Sequence, residues 1–268
     1  MVPGIDFSGV VTQSDDPTYA VGDKVVLNGW GVGEKHWGGF AQQARVKGKW
    51  LIKLPKGLSE ADAMRIGTAG YTAMLCCNAL RSHDITPDSG PIIVSGATGG
   101  VGSIAVYILA KRGYDVHALS GKPEQTEYLM KLGAKAVIDR KDYAEKARAL
   151  GQQLWAGAVD VAGSHTLANI IANTQYGGVV TACGLAQGMD LPSSVAPFIL
   201  RGVSLVGVDS VYCPVAKRQA AWNDLAAEMD IAQLSDIAHT IGLDGVEAAS
   251  KALMAGTVTG RYLVDVQK

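Results

Sequence analysis

Residues 92–102 read IIVSGATGGVG, and residues 103–111 continue as SIAVYILAK. A short β-branched run leads directly into glycines and then into an apolar segment with helical character. This order predicts a strand, a phosphate-binding turn and a helix that directs free N–H groups and its positive dipole end at an anion. The predicted cofactor-binding residues are Ala97, Thr98, Gly99, Gly100, Val101 and Gly102. Alanine stands where the dinucleotide fingerprint has its first glycine, so a tight turn that only packs a helix on a sheet is the alternative.

The composition narrows the class of protein. Hydrophobic residues make up 48% of the 268 residues and charged residues 18%, which is enough for a large buried core. The formal net charge is −1, with scattered cations, so neither nucleic acid nor an anionic membrane is an expected partner. No apolar run approaches the roughly 20 residues of a membrane span, and the four cysteines form no C-x-x-C pair. We therefore expect a cytoplasmic protein that binds small molecules.

Strand and helix patterns alternate after the glycine turn. Strands are predicted near 92–95, 116–119, 136–138, 158–161, 179–183 and 203–208, with helices between them, including one near 143–150. Several of these runs are apolar on both faces, which indicates an α/β fold with a doubly wound parallel sheet of the Rossmann type. Before it, short strand candidates at 9–12, 24–27, 40–46 and 50–54 indicate a small β domain.

The end of the second predicted strand indicates which cofactor binds. An Asp or Glu there would accept hydrogen bonds from the ribose of NAD, but the segment 119–122 reads LSGK. Ser120 and Lys122 can instead bind a 2′-phosphate, so NADP(H) is the expected cofactor, with Arg140 as a second candidate cation. The alternative is that Lys122 is an ordinary solvated lysine at a helix start.

Two further strand ends are candidates for the nicotinamide half of the site. Gly184 and Leu185 follow one strand, and Asp209 and Ser210 follow the last, at the carboxyl edge where ligands bind. Turn chemistry alone also explains these residues. The five histidines have no metal-ligand spacing, so no metal is expected. The tryptophan-containing loop 28–39 is either a folded cap or part of a binding surface.

Several motifs together resemble the medium-chain dehydrogenase/reductase superfamily, in its zinc-free quinone-oxidoreductase-like branch and most closely its acrylyl-CoA reductase group. They are PGIDFSG at 3–9, GWGVGE at 29–34 with HWGG at 36–39, IGTAGYTAML at 66–75, the glycine turn, PFILRG at 197–202 and GVDSV at 207–211.

The resemblance implies a partial GroES-like catalytic domain at 1–72, an NADP-binding domain at 73–212, and C-terminal helices and a strand at 213–268 that return to the catalytic domain. It implies NADPH-dependent reduction of the activated C=C bond of a 2-enoyl-CoA, with the thioester oxygen stabilised by donors. Asn28, Thr68 and Tyr71 are the candidate donors. Ile5 and Asp6 stand where zinc-dependent relatives have His-Glu, so the resemblance implies no catalytic zinc.

Alternatives to this function stay open. The acceptor is alternatively a quinone or an enone, and an inactive NADP-binding fragment is a further hypothesis, because the family has some tens of residues before Pro3 that are expected to be missing here. An apolar strand at 203–208 at the end of the sheet predicts a homodimer.

Overall fold

The structure is a computed structural model that describes residues 1–230 and 237–268. The chain forms two compact units. Unit 1 contains residues 1–71 and 209–268, and unit 2 contains residues 72–208. Unit 2 is therefore inserted into the sequence of unit 1.

The first segment of unit 1 is a small antiparallel sheet. Its strands β1 (Asp6–Val10), β2 (Lys24–Asn28) and β3 (Ile52–Lys53) pair in this order. Val25, Leu27 and Trp50 are among the residues of its apolar core. This sheet is the GroES-like part of the fold.

Helix α1 (Glu60–Ser82) begins in unit 1 and continues into unit 2. Ser59 stands before it, where its hydroxyl accepts from the Asp62 N–H at 3.1 Å and its own backbone N–H donates to the Asp62 carboxylate at 3.1 Å. These are the reciprocal contacts of a capping box. At Gly67 the backbone leaves helical geometry (φ 51°, ψ −162°), so α1 consists of two helical parts joined by a kink.

Unit 2 contains a six-stranded parallel sheet. The strands are β4 (Ile92–Ser95), β5 (Val116–Ser120), β6 (Ala136–Asp139), β7 (Trp155–Asp160), β8 (Thr174–Ala182) and β9 (Ser204–Gly207), and the helices are α2 (Gly100–Lys111), α3 (Thr126–Lys131), α4 (Ser164–Ala172) and α5 (Ala196–Arg201).

The strand order is β6-β5-β4-β7-β8-β9, and every neighbouring pair is parallel. This is the order of a Rossmann-type doubly wound sheet, and it reverses between β4 and β7. Every residue of β4 and β7 is buried, as expected for strands covered on both faces. The predicted fold class is confirmed. The glycine turn follows β4, next to the point where the strand order reverses.

The second segment of unit 1 contains helix α6 (Val215–Glu228), strand β10 (Ala238–Gly242), helix α7 (Val246–Met254) and strand β11 (Arg261–Asp265). Strands β10 and β11 pair in parallel. In the part of the chain that the structure describes, no helix is long and apolar enough to cross a membrane.

Two predicted elements are wrong. Residues 40–46 form no strand; next to them, the N–H groups of Gly39 and Phe40 donate to carbonyls of the 3–4 segment. The helix predicted near 143–150 is absent, and only a short 3-10 turn, Arg140–Tyr143, forms there. The Asn169 side-chain amide donates to the carbonyls of Tyr143 (3.2 Å) and Glu145 (2.7 Å). In a helix these carbonyls would accept backbone N–H groups instead.

Candidate active site

The glycine turn joins β4 to α2 through closely packed backbone. Gly96 has φ +55°, which favours glycine, and Gly99 precedes the first residue of α2. A Cβ on Gly102 would overlap the Gly96 carbonyl oxygen and lie 2.7 Å from Ala97 Cα. The first turn of the helix therefore lies directly against the glycine turn. Free N–H groups at the start of a helix are of the kind that can bind a pyrophosphate. Ala97 and Thr98 are buried, and Gly99, Gly100 and Val101 are partly buried.

A buried carboxylate joins the ends of β4 and β7. The Ser95 hydroxyl donates to Asp160 Oδ1 at 2.6 Å and accepts from the Val161 N–H at 2.9 Å. The Gly163 N–H donates to Asp160 Oδ2 at 2.8 Å. Burial raises the pKa of Asp160, although these hydrogen bonds oppose the rise. The network fixes both strand ends beside the glycine turn.

Three of the predicted cofactor-binding residues meet where β5 and β6 end. Ser120 is buried, and its hydroxyl accepts from the Lys122 N–H at 3.1 Å. The exposed Arg140 side chain lies across Gly121, where an added Cβ would be 2.9 Å from the guanidinium carbon. The Ser120 hydroxyl and the Arg140 guanidinium thus lie beside the backbone at Gly121, and Lys122 is the next residue in the chain. A hydroxyl with nearby cations is suited to a phosphate monoester.

The other predicted cofactor-binding residues lie in different units. In unit 2, the Gly184 backbone lies so close to Val161 that a Cβ added to Gly184 would be 2.5 Å from the Val161 carbonyl oxygen. Leu185 is exposed. Asp209 and Ser210 belong to unit 1. The Asp209 carboxylate accepts from the Val211 N–H at 2.7 Å, which closes a turn.

In unit 1, two of the predicted donors are in contact. Asn28 is the last residue of β2 and is 1% exposed, and its Nδ2 donates to Thr68 Oγ1 at 3.3 Å. Thr68 follows the kink at Gly67, which frees its N–H from the helix, and this N–H donates to Asp6 Oδ2 at 2.6 Å. Thr68 is partly exposed, so its hydroxyl is the more accessible of these two donors.

The kink also brings an arginine beside the Asp6 carboxylate. Arg261, the first residue of β11, donates to the Ile66 carbonyl. A Cβ on Gly67 would overlap the Arg261 guanidinium and lie 3.0 Å from Asp6 Oδ2. Burial lowers the pKa of Arg261, and the Asp6 charge opposes that change. A carboxylate, a guanidinium and the Thr68 N–H therefore share one small volume that only glycine leaves open.

Tyr71, the third predicted donor, is completely buried. Its ring stacks on Trp222 with 6.4 Å between the ring centroids, and the Arg218 guanidinium carbon lies 5.0 Å from the Tyr71 ring centroid. Burial, followed by the neighbouring Cys213 thiol, raises the pKa of Tyr71. Tyr71 is thus held neutral inside an aromatic and cationic cluster.

Sequence reasoning missed Asp160, Arg218, Trp222 and Arg261. Arg218 and Trp222 lie four residues apart in a predicted helix, and that spacing was the one available signal that they share a face. Within residues 1–230 and 237–268, no three His, Cys, Asp or Glu side chains are grouped to hold a metal ion.

The parallel sheet in this strand order, with its glycine turn beside the reversal point, defines a nucleotide-binding protein of the dehydrogenase and reductase class. A family model described as "Zinc-binding dehydrogenase" matches residues 100–230. The probable acrylyl-CoA reductase of Escherichia coli is 50% identical over 266 residues, covering 99% of this chain and 82% of that protein. The putative quinone oxidoreductase of Bacillus subtilis is 44% identical over 266 residues, covering 98% and 81%.

Solved structures of oxidoreductases are also similar to this chain. An oxidoreductase from Salmonella enterica in complex with NADP has a TM-score of 0.97 and 50% identity, covering 99% of this chain and 82% of that one. The Bacillus subtilis protein, with NAD bound, has a TM-score of 0.94 and 43% identity, covering 98% and 80%. The chain belongs to the medium-chain dehydrogenase/reductase superfamily, in its acrylyl-CoA reductase group.

Proposed function

We propose that this protein is an NADPH-dependent oxidoreductase that reduces the C=C bond of a short 2-enoyl-CoA of the acrylyl-CoA type, without zinc. The observation that carries the proposal is the 50% identity with the probable acrylyl-CoA reductase of Escherichia coli over 99% of this chain.

The glycine turn suits a dinucleotide pyrophosphate. Glycine at position 102 lets α2 begin against the turn, because a Cβ there would overlap the Gly96 carbonyl oxygen. We assign the pyrophosphate to the backbone of the residues Ala97, Thr98, Gly99, Gly100, Val101 and Gly102.

The choice of NADPH is supported by the residues where β5 and β6 end. Ser120, Lys122 and Arg140 offer a hydroxyl and two cations to a 2′-phosphate, and the NADP-bound Salmonella enterica structure is 50% identical to this chain. The same three residues lack the carboxylate that would favour the ribose of NAD. We assign Gly184, Leu185, Asp209 and Ser210 to the nicotinamide half.

A bound nicotinamide would supply a hydride to the β-carbon of the substrate. Negative charge then develops on the thioester oxygen, and a fixed hydrogen-bond donor lowers the energy of that enolate. We assign this role to the Thr68 hydroxyl, because it is partly exposed while Asn28 and Tyr71 are buried. Asn28 then orients Thr68, and Tyr71 supports the cluster by packing. A proton from solvent or from a side chain is then added at the α-carbon, which completes the reduction.

Zinc independence is supported by the contacts of the Asp6 carboxylate. Its Oδ2 accepts from the Thr68 N–H at 2.6 Å, and its charge interacts with Arg261. A cation is therefore already beside this carboxylate. Metal analysis of the purified protein, and turnover after dialysis against a chelator, test this part; loss of activity that zinc restores would contradict it.

The assay is NADPH oxidation with acrylyl-CoA, a free enone and a quinone, each at matched concentration. We expect the highest kcat/KM with acrylyl-CoA. The alternative is a quinone or enone reductase, favoured by the 44% identity with the putative quinone oxidoreductase of Bacillus subtilis. If NADPH raises the melting temperature but no acceptor turns over, the chain is an inactive NADP-binding fragment.

We also propose that the protein is a homodimer, paired through β9, and that it acts in the cytoplasm. β9 is the terminal strand of the described sheet, and its outer edge offers unpaired backbone groups. Four cysteines without a C-x-x-C pair suit a reducing compartment.

A further inference from the structure

Helix α6 directs two wholly buried side chains at Asn28. Arg218 and Trp222 lie one turn apart, and both are 0% exposed. Arg218 Nη1 donates to the Asn28 backbone carbonyl at 2.7 Å, and Trp222 Nε1 donates to the Asn28 side-chain oxygen at 3.1 Å. Both oxygens of Asn28 are thus held by the same face of α6.

Arg218 is held without a salt bridge among the described residues. Its Nη2 donates to the carbonyls of Ser210 (3.2 Å) and Val211 (3.1 Å). The Trp30 and Tyr71 ring centroids each lie 5.0 Å from its guanidinium carbon. A buried cation is expensive unless it is hydrogen-bonded. Both Nη atoms of Arg218 are bonded and two aromatic rings lie within cation–π distance, although Nε has no hydrogen-bond partner among the described residues. A planar fork of donors suits these carbonyls and rings better than an ammonium does.

Trp222 determines which way the Asn28 amide points. An indole N–H can only donate, so the Asn28 atom opposite it must be the oxygen. The NH₂ group then faces Thr68 Oγ1, 3.3 Å away, and must donate to it. Because the Thr68 hydroxyl accepts this bond, its own hydrogen points away from Asn28. Hydrogen bonds in such a chain strengthen one another.

We propose that Arg218 and Trp222 are positioning residues. They hold the Asn28 amide in one orientation, and through it they fix the Thr68 hydroxyl as the donor to the substrate oxygen. The role of the donor rests on the proposed function, whereas the orientation of the amide does not.

The first test is Trp222→Phe, which keeps an aromatic ring against Tyr71 and removes the N–H donor together with part of the ring volume. Trp155→Phe is the matched control, because Trp155 is also buried and its Nε1 donates to Tyr143 Oη at the same 3.1 Å. Trp155 begins β7, at the amino end of the parallel sheet and opposite the cofactor-binding edge. We expect similar losses of melting temperature in both variants. We expect Trp222→Phe alone to lower kcat about 10- to 100-fold at nearly unchanged Kd for NADPH, as misplacement of a catalytic group does.

A double-mutant comparison separates positioning from general damage. If Trp222 acts through Asn28, Trp222→Phe lowers kcat no further in an Asn28→Ala background. Arg218→Lys keeps the charge but cannot reach both Asn28 and the 210–211 carbonyls, so it should also lower kcat. Additive losses, or a kcat for Trp222→Phe equal to that of Trp155→Phe, would overturn the proposal.

The orientation is also measurable without turnover. In protein labelled with ¹⁵N-asparagine, we expect the Asn28 side-chain amide to give one slowly exchanging NH₂ signal pair, which shifts or broadens in Trp222→Phe and is unchanged in Trp155→Phe. An unchanged signal in Trp222→Phe refutes the inference. If the wild-type protein reduces no enoyl-CoA, the proposed function fails, and this signal alone decides whether Trp222 orients Asn28.

Discussion

Replacing Lys122 and Arg140 by alanine should remove most of the preference for NADPH over NADH. Lys122 is partly exposed, and Arg140 is exposed and lies across Gly121. A hydrogen bond to a charged group contributes roughly 1.5–3 kcal/mol when shielded from water, and exposure reduces this to about 1–1.5 kcal/mol for each residue. Lys122→Ala with Arg140→Ala should therefore cost about 2–3 kcal/mol, which is about a 30- to 150-fold rise in the Kd of NADPH.

Calorimetric titration with NADPH and NADH measures this directly. NADH lacks the 2′-phosphate, so its Kd should change less than about threefold. The preference of the wild-type protein for NADPH should shrink at high salt, and also as pH falls through about 6, where a phosphate monoester loses its second charge. Lys135→Ala is the control, because this exposed lysine precedes β6 at its amino end. Equal losses for NADPH and NADH would refute the assignment of a 2′-phosphate site.

Three other predictions concern the turn, the helix cap and the sheet edge. Gly102→Ala places a methyl group on the Gly96 carbonyl oxygen, so NADPH should no longer raise the melting temperature, whereas Gly207→Ala, with no atom within 4 Å of the added group, should keep the shift. Burial opposes ionisation of Asp62, but bonds from Ser59 and Arg65 outweigh it and lower the pKa. Asp62→Asn should therefore lower the free energy of unfolding in urea by about 1 kcal/mol at pH 7. The stability difference from the wild type should be lost as the pH falls below 3.8, the ordinary pKa of an aspartate, and through the lower pKa of Asp62 in the folded protein. Light scattering should give twice 28.0 kDa at micromolar concentration. The Val208 N–H donates to Ala182 in β8, so by alternation the Leu205 N–H points to the outer edge of β9, and Leu205→Pro should shift the mass toward the monomer; a monomeric wild-type protein would contradict the dimer.

The parallel sheet was predictable because its information is local. The β-branched runs are short, each is followed by turn residues, and the IIVSGATGGVG stretch contains a strand, a tight turn and a helix start in sequence order. The same locality explains why Ser120, Gly121 and Lys122 could be identified together.

The wrong helix near 143–150 shows where local information fails. The segment YAEKARAL has good helix formers, but Asn169, more than twenty residues away, binds the carbonyls of Tyr143 and Glu145. In addition, Tyr143 is buried and accepts from the Trp155 indole, which fixes the chain in another direction. Tertiary contacts overrode propensity.

Arg218 and Trp222 could not be predicted as partners of Asn28. An arginine in an amphipathic helix is ordinarily a surface residue, and the contacts that bury Arg218 come from a strand 190 residues earlier and from its own preceding loop. The kink at Gly67 could not be predicted either. A glycine inside a helical pattern does not indicate that Asp6 and Arg261 lie where its Cβ would be.

The insertion of unit 2 into unit 1 has a consequence for how the protein is made. Trp222 and Asn28 are 194 residues apart, and Arg261 and Ile66 are 195 apart, whereas unit 2 is a continuous segment from 72 to 208. During synthesis, unit 2 can begin to fold as soon as it leaves the ribosome, but the β1-β2-β3 sheet must wait for α6 and β11. Residues 1–71 therefore stay without their partners until residues 209–268 have been synthesised, and this interval is when chaperone binding and aggregation would compete with folding.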